Sequence, residues 1–346
     1  MRRLFTILIL TFITLSANAQ DFSFSSFQQY PALSNPAFTG FYWGDFRVAA
    51  FYKNQWRSVG SPFSSYVAMA DAPLNLRMMG TEDFVAVGLN LMRHTAGDAG
   101  YGYSVVLLNV AYYKALDSRG KMYLAIGLQA GGGSRGIDQE ALTFGNQFNG
   151  IAYDPSIAHN EVVYTDRATY EDLGIGVMWY MAPSEYFKMH MGASYLHLSR
   201  PNLSFVSGID QLQPKTSLNA EMRIGSHKIL QVIPSGYYIT QGEFTEITAG
   251  LGIRYTFSKY NRPHPIIRPD NSETAITFST WHRLNDAMIL ALRLEMAYAT
   301  LGFSYDVNVS SLKEASHLKG GYEIFMSYNF MDIFGDRKIS HRKTFM

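Results

Sequence analysis

Histidine and serine are the residues whose types and spacing first suggest chemistry in this sequence. The chain has nine histidines and no cysteine. His190 and His197 lie seven positions apart, and this odd spacing sends their side chains to opposite faces of a strand, so they cannot share a metal ion. In this register His197 faces outward with Ser199 two residues on, a pair that a lipid hydrolase would use. Because His and Ser are common at strand ends, the pair alone does not predict an enzyme.

A glycine-rich stretch, GLQAGGGSRG at residues 127–136, resembles a loop that cradles phosphate groups. Such a loop needs a following helix and a Lys-Ser or Lys-Thr pair, and neither is present. We instead expect these glycines to let a strand bend or to let an aromatic ring pack over the backbone. The sequence contains no HExxH motif and no paired Cys/His spacing. We therefore predict no enzyme activity, no catalytic residue, no metal site and no cofactor.

Eight charged residues form a more informative set, because each occupies a polar position in a segment where apolar and polar residues alternate. A basic side chain that faces lipid at mid-depth of a membrane costs roughly 2–4 kcal/mol. We therefore expect the eight to face the interior of a closed sheet. They are Lys188, Glu221, Arg223, Glu246, Arg254, Arg293, Glu295 and Glu323. Their mixed sign favours a closed or plugged lumen at least as much as an open channel.

The segments that must position these charges alternate with the period of two that is typical of strands. In TEITAGLGIRYTF, residues 245–257, one face carries Ile247, Leu251 and Ile253, and the other carries glycine, threonine and isolated charges. A soluble sandwich or propeller, the competing interpretation, would have a wet face rich in Lys and Glu. About fourteen segments share the pattern, the even number that a closed antiparallel barrel requires. They are 45–56, 62–72, 83–94, 101–116, 121–132, 170–181, 186–197, 216–226, 229–240, 244–257, 273–283, 286–295, 297–308 and 319–330.

Composition agrees with an exported, membrane-embedded barrel. Charged residues make up 16% of the chain and aromatic residues 14%, whereas soluble domains have roughly 25% charged residues. Lys and Arg number 29 against 28 Asp and Glu, so nothing favours a nucleic-acid partner. We predict an all-β transmembrane antiparallel β-barrel in the outer membrane of a Gram-negative (diderm) bacterium, in contact with outer-membrane lipid.

Four regions are predicted along the chain. Residues 1–19 have the basic start, apolar run and small-residue ending of a secretory signal peptide. Residues 20–44 form a periplasmic, plug-like segment, residues 45–330 the barrel, and residues 331–346 a short basic periplasmic tail. The last strand ends on Tyr328 and Phe330, an aromatic ending that resembles the C-terminal signal of outer-membrane barrels.

Connection lengths predict which end of the barrel faces outward. Long connections after the fifth and seventh strands fall on the extracellular side, where longer loops are expected. Residues 258–273 break this rule, because this connection is long and periplasmic in the same register. The two extracellular loops carry side chains that suit a protein partner. These candidate cargo-facing residues are Phe144, Phe148, Tyr153, Tyr164, Leu203 and Phe205.

The stretch QQYPALSNPAFTG at residues 28–40 resembles the N-terminal signature of the PorP/SprF outer-membrane proteins. The likeness continues through YKNQWRSVGSPFSSYVAMADAPL at residues 52–74 and extends to the closing GGYEIFMSYNF, so it covers nearly all of the chain after the leader. The signature positions are Gln29, Tyr30, Asn35, Pro36, Phe38, Gly40, Gln55, Trp56 and Pro73.

The resemblance implies a non-enzymatic barrel of the type IX secretion and gliding-motility apparatus. Its implied role is protein transport: export or surface anchoring of a secreted adhesin, held through the C-terminal domain of that cargo. Components of the secretion apparatus are the implied partners on the periplasmic side. The alternative function is an outer-membrane channel or transporter for hydrophobic or small solutes. For the opening stretch itself, we expect Asn35, Pro36 and Gly40 to shape a fixed turn, with Tyr30 and Phe38 packed against the periplasmic mouth.

Overall fold

Alternating apolar and polar residues produce strands in the computed structural model, and these strands close into a barrel. The structure describes residues 24–58, 60–74, 82–154, 156–158, 165–205, 208–226, 229–259, 273–296, 298–310 and 313–331. The predicted signal peptide, most of the 258–273 connection, all but the first residue of the predicted tail, and Tyr164 lie outside these residues.

The described part of the chain forms fourteen strands, and the predicted barrel is therefore confirmed. The strands are β1 (Phe46–Gln55), β2 (Phe63–Leu74), β3 (Phe84–Ala96), β4 (Tyr101–Ala115), β5 (Met122–Gly136), β6 (Arg167–Ser184), β7 (Phe187–Leu196), β8 (Lys215–Ser226), β9 (Leu230–Gln241), β10 (Phe244–Lys259), β11 (Glu273–Arg283), β12 (Ala287–Met296), β13 (Ala299–Asn308) and β14 (Lys319–Phe330).

Each strand pairs antiparallel with its neighbours in sequence, and β1 closes the barrel by pairing with β14. Phe46 lies opposite Phe330 at one end of that seam, and Gln55 lies opposite Gly321 at the other. We call the end where β1 begins and β14 ends the near rim, and the opposite end the far rim. Outer-membrane barrels have short periplasmic turns and longer extracellular loops. The connections 137–166 and 197–214 both lie at the far rim.

The two faces of the wall differ as the alternation predicts. On β4, Leu108 and Val110 are exposed on the outer face, while Leu107 and Ala111 are buried on the inner face. The same contrast holds on β10, where Ile247 and Leu251 face out and Glu246 and Thr248 are buried inside. A continuous apolar outer face with polar residues inside is typical of a barrel that meets lipid.

Strands β5 and β6 are longer than their alternation alone predicts. The glycine-rich residues 131–136 continue β5 in register, with Gly133 opposite Tyr170 and Gly136 opposite Arg167. These glycines are needed because the neighbouring backbone is close: a Cβ on Gly131 would lie 2.0 Å from the carbonyl oxygen of Val106. The far-rim loop after β5 therefore begins at residue 137.

One short helix, Lys313–Ser316, lies at the far rim between β13 and β14. Among the described residues, helices fall short of the length and apolar character that a membrane crossing by a helix would need.

Candidate functional site: the plugged barrel lumen

Residues 24–45, which precede β1, lie inside the barrel, and we call them the plug. The plug contains three 3-10 turns, Phe27–Gln29, Pro31–Leu33 and Pro36–Phe38. Proline suits the first position of such a turn because its φ is fixed and its missing N–H is not needed there. The sequence therefore folds this segment as successive single turns.

Asn35 fastens the middle of the plug to two strands. Its Oδ1 accepts a hydrogen bond from the Ala37 N–H at 2.9 Å. Its Nδ2 donates to the carbonyl oxygens of Val177 at 3.0 Å and Ala193 at 3.2 Å. The residue is fully buried, so three bonds made away from water fix both the turn and its position against β6 and β7.

Three glycines form a cradle that lets the plug reach the wall at this point. Gly127 on β5 and Gly176 on β6 are direct cross-strand partners, and Gly192 lies on β7. A Cβ on Gly176 would lie 2.0 Å from Asn35 Oδ1, and one on Gly127 would lie 2.2 Å from the Ala37 nitrogen. Backbone therefore packs on backbone here, which any larger residue would prevent.

The near-rim end of the plug is held by a group centred on Asp71, which we call the near latch. The Asp71 carboxylate accepts two bonds from Arg47, at 2.9 and 2.8 Å, and one from the Gly40 N–H at 2.8 Å. The Arg47 guanidinium lies between the rings of Tyr30 and Tyr42, 4.4 and 4.1 Å from their centroids. Burial, reinforced by the Asp71 charge, raises the pKa of both phenols well above their ordinary value. The rings therefore stay neutral and present π faces to the cation.

A second group, the far latch, holds the other end of the plug. The Glu323 carboxylate accepts the Ser25 N–H at 2.6 Å and the Ser26 N–H at 2.8 Å, and pairs with Lys53 at 3.1 Å. Ser25 Oγ donates to Asp306 at 2.6 Å. Asp306 in turn pairs with Arg283 at 3.2 Å. Buried charges are tolerated when they are paired and hydrogen-bonded in this way.

Aromatic packing fills the space between the latches. Phe38 and the imidazole of His190 meet edge to face with centroids 5.3 Å apart. Two strands further round the wall, Phe27 stacks on Tyr237 of β9 with ring centroids 4.8 Å apart. The hydroxyl of Tyr113 is within hydrogen-bonding distance of the carbonyl oxygens of Ala37 at 2.9 Å and Thr39 at 2.8 Å. The plug is thus bonded to the wall along its described length.

The sequence-predicted charged residues all lie on inner-face positions of their strands. Glu246 faces Arg283 at 3.5 Å, and Glu323 belongs to the far latch. The other members are near the near rim on the wall made by β7, β8, β10 and β12. The ion pairs there join Arg223 to Glu221 at 2.9 Å, Arg254 to Glu295 at 2.8 Å and Arg293 to Glu295 at 3.0 Å; Lys188 lies opposite Arg223 on β7.

The predicted signature residues fall into two groups. Tyr30, Asn35, Pro36, Phe38 and Gly40 belong to the plug, and Pro73 on β2 lies beside Gly40. Gln29 also belongs to the plug and is half-buried.

Gln55 and Trp56 lie at the far rim, away from the last turn of the plug, Pro36–Phe38. Trp56 has a φ of 57°. Its ring packs on that of Phe63 with centroids 4.7 Å apart. Its backbone N–H donates to the Gly320 carbonyl at 2.9 Å. These two residues therefore help to close the β1–β14 seam.

The candidate cargo-facing loop residues are placed unevenly. In the 137–166 loop, Phe148 and Tyr153 are 58% and 45% exposed, and they form a backbone bridge to each other. Phe144 is half-buried. In the 197–214 loop, Leu203 is buried, and Phe205 lies 6.3 Å from Tyr101.

The 197–214 loop folds back over the far rim. Asp210 in this loop pairs with Arg135 on β5 at 2.8 Å, and Arg135 lies over the ring of Tyr101 at 5.0 Å. Leu203 N–H donates to the Asp210 carbonyl at 2.8 Å. The loop thus forms a small hairpin tied to the barrel.

The position predicted for His197 is wrong. Strand β7 ends at Leu196, and His197 has a φ of 60°, so the alternation stops and its side chain turns inward. His197 is buried and bonds to Asp172 through Nδ1 at 2.8 Å. It lines a cavity of about 70 Å³ between the plug and the far-rim half of the wall. Ser199 bonds instead to the Glu171 carbonyl.

The aromatic end of β14 faces outward at the near rim. Tyr328 packs edge to face on Phe330 at 4.6 Å, and Phe330 lies 5.8 Å from Phe46 across the seam. Aromatic rings at this level are typical of a membrane interface.

Within the described residues, no group of three or more His, Cys, Asp or Glu side chains could hold a metal ion. Sequence reasoning missed Arg47, Asp71 and Tyr113 as contact residues of the plug. Arg47 and Asp71 occupy polar positions of the first two strand-like runs, so the alternation alone could have placed them inside.

Comparison with known proteins adds a family and several similar barrels. Residues 16–328 match a family model described as type IX secretion system membrane protein PorP/SprF. No functionally curated protein matches the chain.

Among solved structures, a FadL homologue from Pseudomonas aeruginosa has a TM-score of 0.47 and 11% identity over 86% of this chain and 93% of that chain. The deltaS2S3 mutant of TodX, a monoaromatic hydrocarbon channel, has a TM-score of 0.46 and 10% identity over 89% and 94%. BamA from Haemophilus ducreyi lacking POTRA domains 1–3 has a TM-score of 0.40 and 9% identity over 82% and 70%. Similarities of this strength carry no argument about function.

Proposed function

Since the chain belongs to the PorP/SprF family of type IX secretion system membrane proteins, we propose that it is a closed, non-enzymatic barrel that helps to anchor or export a secreted protein. It would do so in the outer membrane of a diderm bacterium. The observation that carries the proposal is the plug, which both latches and the glycine cradle bind to the wall. A barrel sealed in this way suits a scaffold for protein partners better than a pore.

The latches argue for a permanent plug. A hydrogen bond from a backbone N–H to a buried carboxylate contributes about 1.5–3 kcal/mol. Withdrawal of the plug would break the Gly40 bond to Asp71 and the Ser25 and Ser26 bonds to Glu323. The cavity beside the plug has about 70 Å³, well below the roughly 300–1,000 Å³ of ligand pockets. A cavity of this size does not support the solute-channel alternative.

The far rim supplies the surface proposed for cargo. Phe148 and Tyr153 are exposed there, and Ile151 between them is 91% exposed. Exposed apolar and aromatic side chains at the tip of a long loop suit a protein partner. We assign the cargo contact to this loop, with a secreted adhesin held through its C-terminal domain as the cargo.

The near rim would face the secretion apparatus. On this assignment, the short turns there and the connection 258–273 offer the periplasmic contacts. The exposed Tyr186 in the turn between β6 and β7 belongs to this surface.

Cross-linking in cells tests the cargo assignment. Purification of the tagged barrel after cross-linking should recover a secreted surface protein. The double variant Phe148→Ser and Tyr153→Ser should lose most of it, whereas the matched control Tyr186→Ser, at the other rim, should keep it. Equal recovery with both variants would overturn the cargo surface.

Planar bilayers test the closed lumen. Wild-type protein without any partner should show no steady solute conductance, while a variant lacking residues 24–40 should conduct if it folds. Steady conductance by the wild-type protein would contradict the closed-scaffold proposal and restore the channel alternative.

A further inference from the structure

The outer wall carries a groove whose upper edge holds an arginine. The groove has about 810 Å³ and lies on β14, β1, β2, β3, β4 and β5. One outward row crosses it from Met326 through Ala50, Ala68 and Leu91 to Val106 and Gly132, each residue opposite the next. The wall is concave here because Ala50, Ala68 and Gly132 have little or no side chain.

The next row toward the far rim is polar at its centre. Tyr52, Tyr66, Arg93, Ser104 and Ser134 follow one another across neighbouring strands. Arg93 is exposed and lies two residues beyond the apolar Leu91. An outward arginine costs several kcal/mol at the bilayer centre but roughly 0–1 kcal/mol near the interface. This row therefore marks the level of the lipid headgroups.

Arg93 differs from the arginines that face the interior of the barrel. On the described strands, each inward-facing arginine has a carboxylate partner, as with Arg47, Arg135 and Arg283. Arg93 has no ion pair with any described residue. A guanidinium left free at the headgroup level, directly above an apolar groove, matches the two parts of an anionic lipid.

We propose that this groove binds a phosphate-bearing lipid of the far-rim leaflet. The acyl chain would lie over Ala50 and Ala68, and Arg93 would hold the phosphate, which guanidinium groups bind bidentately. Ser104 and Ser134 place hydroxyls beside it. The inference goes beyond the proposed function and does not depend on it, because the groove contains no plug or loop residue proposed to meet cargo.

The space above Arg93 limits where the phosphate can lie. A polar pocket of about 780 Å³ continues from the groove toward the loops and includes Asp138, Glu140, Asp166 and Arg167. Its three carboxylates disfavour a phosphate there. We therefore place the phosphate of the lipid at Arg93, on the boundary between this polar pocket and the groove.

A second groove supplies the internal control. It has about 620 Å³ and lies further round the wall, on β5 to β10, around Trp179, Leu218, Ala220 and Gly236. Its lining residues include no charged side chain. An apolar groove without a cation should accept chains without selecting for phosphate.

The test uses delipidated full-length protein and two probes, dioleoyl phosphatidic acid and dioleoylglycerol, which differ by the phosphate. Native mass spectrometry should show about a tenfold preference for phosphatidic acid, as a charge-assisted contact of modest strength gives. Arg93→Gln should abolish the preference, whereas Arg167→Gln, an exposed arginine outside the groove, should keep it.

Filling the grooves separates shape from charge. Ala68→Leu should lower retention of phosphatidic acid, and Ala220→Leu in the second groove should leave it unchanged. Equal binding of the two probes by the wild-type protein, or equal loss with Arg93→Gln and Arg167→Gln, would overturn the proposal. Arg93→Gln alters an exposed side chain, so it decides the question even if Ala68→Leu does not fold.

Discussion

The two latches hold the same plug in different ways. The near latch joins Gly40 of the plug to Arg47 and Asp71 on the first hairpin, and Gly40 and Asp71 are 31 residues apart. The far latch joins Ser25 and Ser26 to Glu323 and Asp306, nearly three hundred residues away. Contacts close in sequence form with a small loss of chain entropy, and distant ones wait for the rest of the fold.

This difference assigns different tasks to the latches. The near latch can form once β1 and β2 have paired. The far latch needs β13 and β14 in place, since these strands supply Asp306 and Glu323. The near latch thus holds the plug to β1 and β2, which follow it directly in sequence. The far latch holds the plug to the last two strands, which are in place only when the barrel has closed.

The largest expected effect comes from Asp71→Ala. This change leaves Arg47 buried without a carboxylate and frees the Gly40 N–H, so stability should fall by about 3–5 kcal/mol. Because the chain lacks cysteine, Thr39→Cys can report on the near end of the plug by maleimide labelling, and labelling should become fast.

Asp83→Ala is the matched control for that experiment. Asp83 also lies at the near rim, where it accepts bonds from Tyr112 and Lys114 on β4. Thr39→Cys should stay protected in this background. Equal labelling in both backgrounds would show that the near latch has no special hold on the plug.

A smaller effect is expected from Glu323→Gln. The amide keeps one acceptor oxygen for Ser25 or Ser26, and Asp306 remains beside them, so the loss should be about 1–3 kcal/mol. Gln28→Cys should become accessible to maleimide while Thr39→Cys stays protected. Glu295→Gln, which alters an inward carboxylate paired with Arg254, should change neither. If Glu323→Gln exposed both cysteine reporters, the two latches would have to release the plug together rather than independently.

The smallest effect is expected where the far-rim hairpin is tied down. Asp210 is 46% exposed in its side chain, so Asp210→Asn should cost at most about 1 kcal/mol. Limited proteolysis should cut the 197–214 loop faster, and both cysteine reporters should remain protected. Faster labelling of either reporter would show that the hairpin also helps to hold the plug.

The barrel itself was predictable, because apolar and polar residues alternate with a period of two in its strands. The alternation that places Ile247 outside and Glu246 inside also separates the predicted charges from the lipid face. It failed at His197, where a positive φ ended the strand and reversed the side chain. For the glycines of residues 131–136, the expected packing of an aromatic ring over the backbone is seen at Gly133, where a Cβ would lie 3.0 Å from Cζ of Tyr170.

The path of the plug was not predictable in the same way. Asn35 meets Val177 and Ala193, which are 142 and 158 residues away. No local pattern links these positions, and the glycines that admit Asn35 are few among the 29 of the chain. The family resemblance drew attention to Asn35, but only the closed barrel shows what the side chain touches.

The glycine cradle has a consequence for the rest of the cross-section. Gly127, Gly176 and Gly192 let the backbone of the plug lie directly against the backbone of β5, β6 and β7. Beyond β7, the near-rim halves of β8, β10 and β12 instead carry inward arginines that pair with carboxylates: Arg223, Arg254 and Arg293. The lining is therefore asymmetric: main chain meets main chain on one stretch of the wall, and guanidinium-carboxylate pairs line the next.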